Sequence, residues 1–130
     1  MQQKYKIIIA NFEKEKSTAI AAWLNDAEGF VAKAIDFGIQ EDVDLAKSEN
    51  PNLILINSDC EEFDFIKTAF EESLPNISIG RKVPNNAELG NNHFNIPLRF
   101  NLLEARIRFV LRARASAQMA LVHIGEYELN

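Results

Sequence analysis

The stretch PNLILINSDCEEFD, residues 51–64, decides how this chain is read. Leu53 to Ile56 form a short unbroken apolar run between a proline and a turn-forming tract, the pattern of a strand buried on both faces. Such strands belong to parallel sheets, and open parallel sheets keep their ligands and chemistry outside the carboxyl ends of the strands. Asn57 stands at that end. It is a neutral amide at a position where a carboxylate would be expected.

Outward from this strand the same unit repeats. Lys6–Ala10 (KIIIA) is β-branched, apolar and flanked by polar residues, which predicts another buried strand. Ser17–Ala27 spaces Ile20, Trp23, Leu24 and Ala27 as a helix, with Gly29 as its stop and Trp23 in the core. Phe30–Ile35 predicts a strand, and Glu41–Glu49 an amphipathic helix that ends before Pro51. Asp64–Ser73 predicts a helix whose face carries Phe65, Ile66, Ala69 and Phe70, and Ile77–Ile79 a fourth strand.

Residues 80–92, GRKVPNNAELGNN, show no helical stripe and read as a loop. His93–Ile96 predicts a fifth strand. From Asn101 a helix lines Leu103, Ile107, Val110 and Leu111 along one face, with Asn101 and Glu104 spaced as a capping box. Strands alternating with helices predict an α/β fold, a doubly wound, five-stranded parallel sheet covered on both faces.

Composition narrows the function. At 130 residues, 47% hydrophobic and 25% charged, the chain has the make-up of one globular domain with a packed core. A single cysteine, Cys60, excludes an intramolecular disulfide, and its acidic neighbours predict a normal or raised thiol pKa. His93 and His123 lack zinc spacing, so no metal and no cofactor are expected. No apolar run is long enough to span a bilayer or form a signal-peptide core, and the expectation is a cytoplasmic protein with no membrane partner. A net charge of −5 argues against this stretch gripping nucleic acid by itself. Five arginines, Arg99, Arg106, Arg108, Arg112 and Arg114, nevertheless crowd one segment, marking a partner-facing or solvated helix.

These segments resemble a known family. EDVDLAKSENPNLILIN, residues 41–57, is similar to the helix-strand passage of CheY-like receiver domains, usually worded close to EALELARENRPDLILLD. PLRFNLLEARIRFVLR, residues 97–112, resembles PFSLEELLARIRALLRR, the last receiver helix in the OmpR/PhoB class of response regulators. HIGEYELN, residues 123–130, looks like the opening strand of the winged-helix domain that follows in that class. The resemblance implies a flavodoxin/CheY-like strand order 2-1-3-4-5. It also implies a receiver-like domain over residues 1–117, then a linker and the start of a C-terminal DNA-binding domain over 118–130.

In that family a histidine kinase donates a phosphoryl group to an aspartate at the end of the third strand. Mg2+ held by acids after the first strand neutralises charge, and a hydroxyl and a lysine contact the phosphate. Carried onto this chain, the acceptor position is Asn57, the acidic pair Asn11 and Phe12, the hydroxyl Gly80 and the lysine Ile96. An amide is a poor nucleophile and a phenyl ring no ligand for a hard cation. The resemblance therefore implies a pseudo-receiver with no enzymatic activity that a histidine kinase does not phosphorylate. Asp59, two residues on, remains as a shifted acceptor if the strand continues, or as part of a solvated acidic loop with Glu61 and Glu62. Asn57 itself reads as a loop cap.

The family's fourth helix has too little room before His93, so it is expected to be short or missing. His93 falls near the family's aromatic switch position. Arg106 matches the family's dimer-contact pattern, whereas Leu102 replaces its glutamate and Asn91 and Asn92 its acidic pair. The expectation is a homodimer through the last helix and fifth strand, with Leu102, Arg106, Phe109, Asn91 and Asn92 as candidate interface residues. Both Leu102 and Phe109 have core positions as their alternative, and for Phe109 the two readings weigh equally. Three functions compete: a phosphorylation-independent dimerisation and regulatory module of a DNA-binding transcriptional regulator, a protein-protein adaptor without DNA binding, and a flavin- or nucleotide-binding protein. The segment NFEKEKST after the first strand lacks a glycine-rich phosphate cradle, which counts against the last.

Overall fold

Five parallel strands form the sheet in the order 2-1-3-4-5 of their succession along the chain, as the resemblance implies. The structure is a computed structural model and describes residues 4–70, 74–83 and 93–128, with side chains as far as Ala117. The elements are β1 (Tyr5–Ala10), α1 (Lys14–Asp26), β2 (Phe30–Ile35), α2 (Gln40–Ser48), β3 (Leu53–Asn57), α3 (Phe63–Ala69), β4 (Asn76–Ile79), β5 (His93–Phe94) and α4 (Phe100–Glu128).

The central strands have no polar face because both faces are covered. Successive side chains point to opposite sides of a strand. Ile7, Ile9, Leu53, Leu55, Ile77 and Ile79 accordingly join Ile20 and Leu24 of α1 and Leu103, Ile107 and Leu111 of α4 in one core. Ile8, Ala10, Ile54 and Ile56 join Ala46 of α2 and Ile66 of α3 in the other. Each fully buried aliphatic side chain contributes on the order of 1.5–3 kcal/mol. The edge strand β2 is tied to α1 by Asn25, whose amide accepts from the Ala32 N–H at 2.8 Å and donates to the Ala32 carbonyl at 3.1 Å.

Several expectations need correction. Trp23 is exposed, not core. Its ring stacks on Phe100 at a 5.3 Å centroid separation, and its indole N–H donates to Glu104 at 3.2 Å, because Ile20 and Leu24 already fill the inward face of α1. Phe65 is 65% exposed and meets Phe37 edge-on, since the short α3 turns Ile66 inward instead. The carboxylate of Glu104 engages Trp23 of α1 and Arg108 one turn along its own helix, in place of the expected capping box with Asn101. The fifth strand has two residues, not four, because the chain turns at Ile96 and Pro97.

The C-terminal segment departs most from expectation. Residues 123–128, read from the sequence as a strand, continue α4, which runs unbroken for 29 residues. The alanine-rich tract ASAQMAL has strong helix propensity and no proline interrupts it. Leu103, Ile107 and Leu111 bury the start of α4, whereas from Arg112 to Ala117 every side chain except the half-buried Arg114 is exposed. At about 1.5 Å per residue the helix is roughly 43 Å long, more than the sheet can cover. Among the described residues no helix is long and apolar enough to cross a membrane. The expected shortening or loss of a helix before β5 falls on residues 84–92, outside the described residues.

Candidate functional site

Strand register brings the predicted positions together at the carboxyl edge of the sheet. Ala10 pairs with Ile56, so the next residues, Asn11 and Asn57, leave the sheet side by side. Asn57 pairs with Ile79, which sets Ser58 against Gly80, and Ile79 pairs with Phe94.

Both asparagines are committed to the backbone. The Asn57 amide nitrogen donates to the Asn11 carbonyl at 2.9 Å, while its oxygen accepts the Asp59 N–H at 2.9 Å. Asn11 has a φ of 61°, a left-handed conformation that Asn tolerates better than most side-chain-bearing residues, and its Oδ1 accepts the Phe37 N–H at 2.6 Å. Phe12 turns its ring against the core shared by α1 and α4, and its carbonyl accepts from Ser17 Oγ at 3.2 Å. An amide oxygen already receiving an N–H bond is a poor ligand for Mg2+, and a ring supplies none. The residues present do not fit the family's metal site. Among the described residues no cluster of three His, Cys, Asp or Glu side chains is placed to hold a metal ion.

Beside these residues lies an open cleft of about 550 Å³, lined by Asn11, Phe12, Lys14, Asp36, Asp42, Cys60 and Glu62 among others. Its carboxylates come from the loop after β2, from α2 and from the turn before α3, and none projects from the end of β1 or β3. Burial pushes the Cys60 thiol above its usual pKa, and the charge of Glu62 adds to this, which disfavours the nucleophilic thiolate.

Asp59 does not continue β3, and its carboxylate, though near the surface, is partnered by the next loop. It lies in the turn after the strand, and its carboxylate accepts the Arg81 N–H at 3.0 Å to each oxygen and the Lys82 N–H at 2.8 Å. Those bonds, and the charges of both residues, hold its pKa below the ordinary value. Sequence reasoning missed this arrangement, for which the acidic tract after Asn57 carried no signal of a partner.

Gly80 explains why no hydroxyl-bearing residue stands there. A Cβ on Gly80 would collide with Ser58 Oγ and approach Asp59 Oδ2 to 2.9 Å. Ser58 is 5% exposed, and its hydroxyl has no hydrogen-bond partner among the described residues. Ile96 packs against the core shared by α1 and α4 instead of presenting a cation. His93 Nδ1 lies 2.7 Å from Ser78 Oγ and Nε2 lies 3.3 Å from Asn95 Oδ1. The ring thereby links β5 to β4 at their paired residues.

On the other candidate surface, Leu102 and Phe109 are 48% and 61% exposed. With Arg106 they follow helical i, i+4, i+7 spacing, and the Arg106 guanidinium sits 5.5 Å from the Phe109 ring centroid. Neither apolar side chain belongs to the core. Asn91 and Asn92 lie outside the described residues. Arg108 is engaged within the chain, donating to the Glu28 carbonyl at 2.8 Å and covering the Phe30 ring at 4.6 Å.

No protein-family model matches the chain, and no curated protein matches its sequence. Solved structures do match its shape. The receiver-modulated diguanylate cyclase structure from Pelobacter carbinolicus aligns with a TM-score of 0.63 at 15% identity, over 88% of this chain and 97% of that one. A fusion carrying a segment of the yeast Spc42 trimeric coiled coil aligns at 0.65 and 15% identity over 99% of both. NtrX from Brucella abortus, solved with ADP, aligns at 0.67 and 17% identity over 91% of this chain but only 28% of its own. The fold is that of a receiver domain.

Proposed function

We propose that this chain is a receiver module that works without phosphoryl transfer, serving as a dimerisation and regulatory unit for an attached output domain in the cytoplasm. The observation that carries this reading is Asn57: its amide is tied to Asn11 and Asp59, and no carboxylate replaces it at the end of β1 or β3. The exposed Leu102 and Phe109, with the half-buried Arg106 between them, supply an apolar, cation-bordered face for a second copy, in place of acidic and basic partners. The long α4 supports a helical connection beyond that face. The test is incubation with acetyl phosphate or beryllofluoride and Mg2+, read by intact mass and sedimentation. No adduct and no change in oligomeric state are expected, and a stoichiometric phosphoryl adduct would overturn the reading.

For the output domain, the similarity of residues 97–112 to the OmpR/PhoB class favours DNA binding. The helical course of residues 123–128 favours a second reading, a protein-protein adaptor without DNA binding. The gene sequence past the Asn130 codon separates the two: a winged-helix domain supports the first, and its absence the second.

A further inference from the structure

The Asp59 carboxylate joins two loops that are distant in sequence and adjacent in space. It accepts three N–H contacts from consecutive backbone amides, at 3.0 Å to each oxygen from Arg81 and at 2.8 Å from Lys82. The two amides point at one spot just beyond the end of β4, and the side chains of the same residues add positive charge. This is the chemistry of an oxyanion site, in which successive N–H groups converge on a negative oxygen. The surroundings are shaped to the occupant. Gly80 has no room for a Cβ beside Ser58 and Asp59, so the approach depends on glycine. Ser58 N–H donates to Ile79 O at 3.0 Å and Gly80 N–H to Phe94 O at 3.0 Å, which carries the connection from β3 through β4 to β5.

We propose that the backbone amides of Arg81 and Lys82 form an oxyanion-binding cradle that Asp59 occupies as a resident ligand, latching the β4 loop to the β3 loop without any bound or transferred phosphate. The latch deepens the proposed phosphorylation-independent function by naming what holds the β4 loop, yet it stands or falls on a different measurement. Removing the carboxylate empties the cradle, which then accepts a free oxyanion of similar charge.

The experiment is an amide-resolved NMR titration of the 130-residue chain with inorganic phosphate. In Asp59→Ala, the Arg81 and Lys82 amide protons move downfield with saturation at millimolar phosphate, at least tenfold tighter than any response of the unaltered protein at those amides. Equal responses in both proteins, or none in an Asp59→Ala protein whose remaining spectrum matches the parent, overturn the proposal. A second measurement needs no variant: in the unaltered protein the Arg81 and Lys82 amide signals follow one titration with its midpoint below the ordinary aspartate range. Absence of that titration also overturns the proposal, including where Asp59→Ala fails to fold. A phosphoryl adduct from acetyl phosphate would instead sink the proposed function and leave the cradle standing.

Discussion

The side-chain amide of Asn57 donates to the main-chain carbonyl of Asn11 at 2.9 Å, stitching the end of β3 to the end of β1. Substituting Asn57→Asp replaces that donor by a carboxylate facing a carbonyl oxygen. Losing the bond and setting two acceptors against each other costs about 1–2 kcal/mol. The expected outcome is a lower urea midpoint at unchanged m-value. Acetyl phosphate with Mg2+ still gives no adduct, because Phe12, Gly80 and Ile96 supply neither metal ligand, hydroxyl nor lysine. An adduct in mass spectrometry would show that the nucleophile alone had been missing.

Ser58 and Gly80 are expected to be energetically coupled, because a Cβ at position 80 would collide with the Ser58 hydroxyl. Gly80→Ala drives a methyl into the Ser58 hydroxyl and destabilises the domain, by roughly 1–3 kcal/mol for overpacking of this kind. Ser58→Ala removes a buried hydroxyl that has no partner among the described residues, so stability is unchanged or slightly raised. The double variant recovers part of the Gly80→Ala loss. A double-mutant cycle checks this, with a coupling of about 1 kcal/mol expected and additivity counting against it.

Asp59 makes stability depend on acid. Its folded pKa is depressed by bonds from Arg81 and Lys82, so the stability it contributes is fully present above the unfolded value of about 3.9. That stability is lost as pH falls through the folded value. Asp59→Asn is therefore less stable than the parent by a constant margin at neutral pH, and the margin closes below about pH 4. Urea melts of both proteins across pH 7 to 3 measure it, and a margin independent of pH would contradict the assignment.

The exposed and buried faces of α4 respond differently. Phe109→Glu and Leu102→Glu are expected to shift sedimentation towards the monomer while changing unfolding stability by within about 0.5 kcal/mol. Ile107→Ala, one turn along on the inward face, costs about 2–5 kcal/mol. A parent protein that is monomeric at high concentration would remove the basis for the dimer.

Trp23 is the sole tryptophan and reports on the junction of α1 with α4. Its emission is expected to be red-shifted and accessible to acrylamide, as suits an exposed indole. Phe100→Ala alters the emission further by removing the stacked ring. A blue-shifted, shielded tryptophan would place the side chain in the core instead.

Much of the fold was legible because it is written locally. Four apolar β-branched or leucine-rich runs, spaced by amphipathic segments, specify buried parallel strands and the helices that cover them. Leu103, Ile107 and Leu111 could be assigned inward from spacing alone. Trp23 and Phe65 were misassigned because helical spacing identifies a stripe but not its edge, and residues at the edge are settled by neighbours such as Phe100 and Phe37. Residues 123–128 were misread because a short resemblance outweighed a continuous run of helix-forming residues.

The sequence by itself determined the strand-helix alternation, the two apolar faces of the sheet and the absence of an acidic, hydroxyl-bearing or lysine side chain at positions 11, 12, 57, 80 and 96. Only the tertiary structure decided what took their place. The Asn57–Asn11 bond spans 46 positions and the Asp59–Arg81 contacts span 22. Both follow from strand register, which is fixed by burial of whole strands and not by the residues that later meet. A side chain's chemistry is readable from its type, whereas its partner depends on which strand end the folded sheet sets beside it.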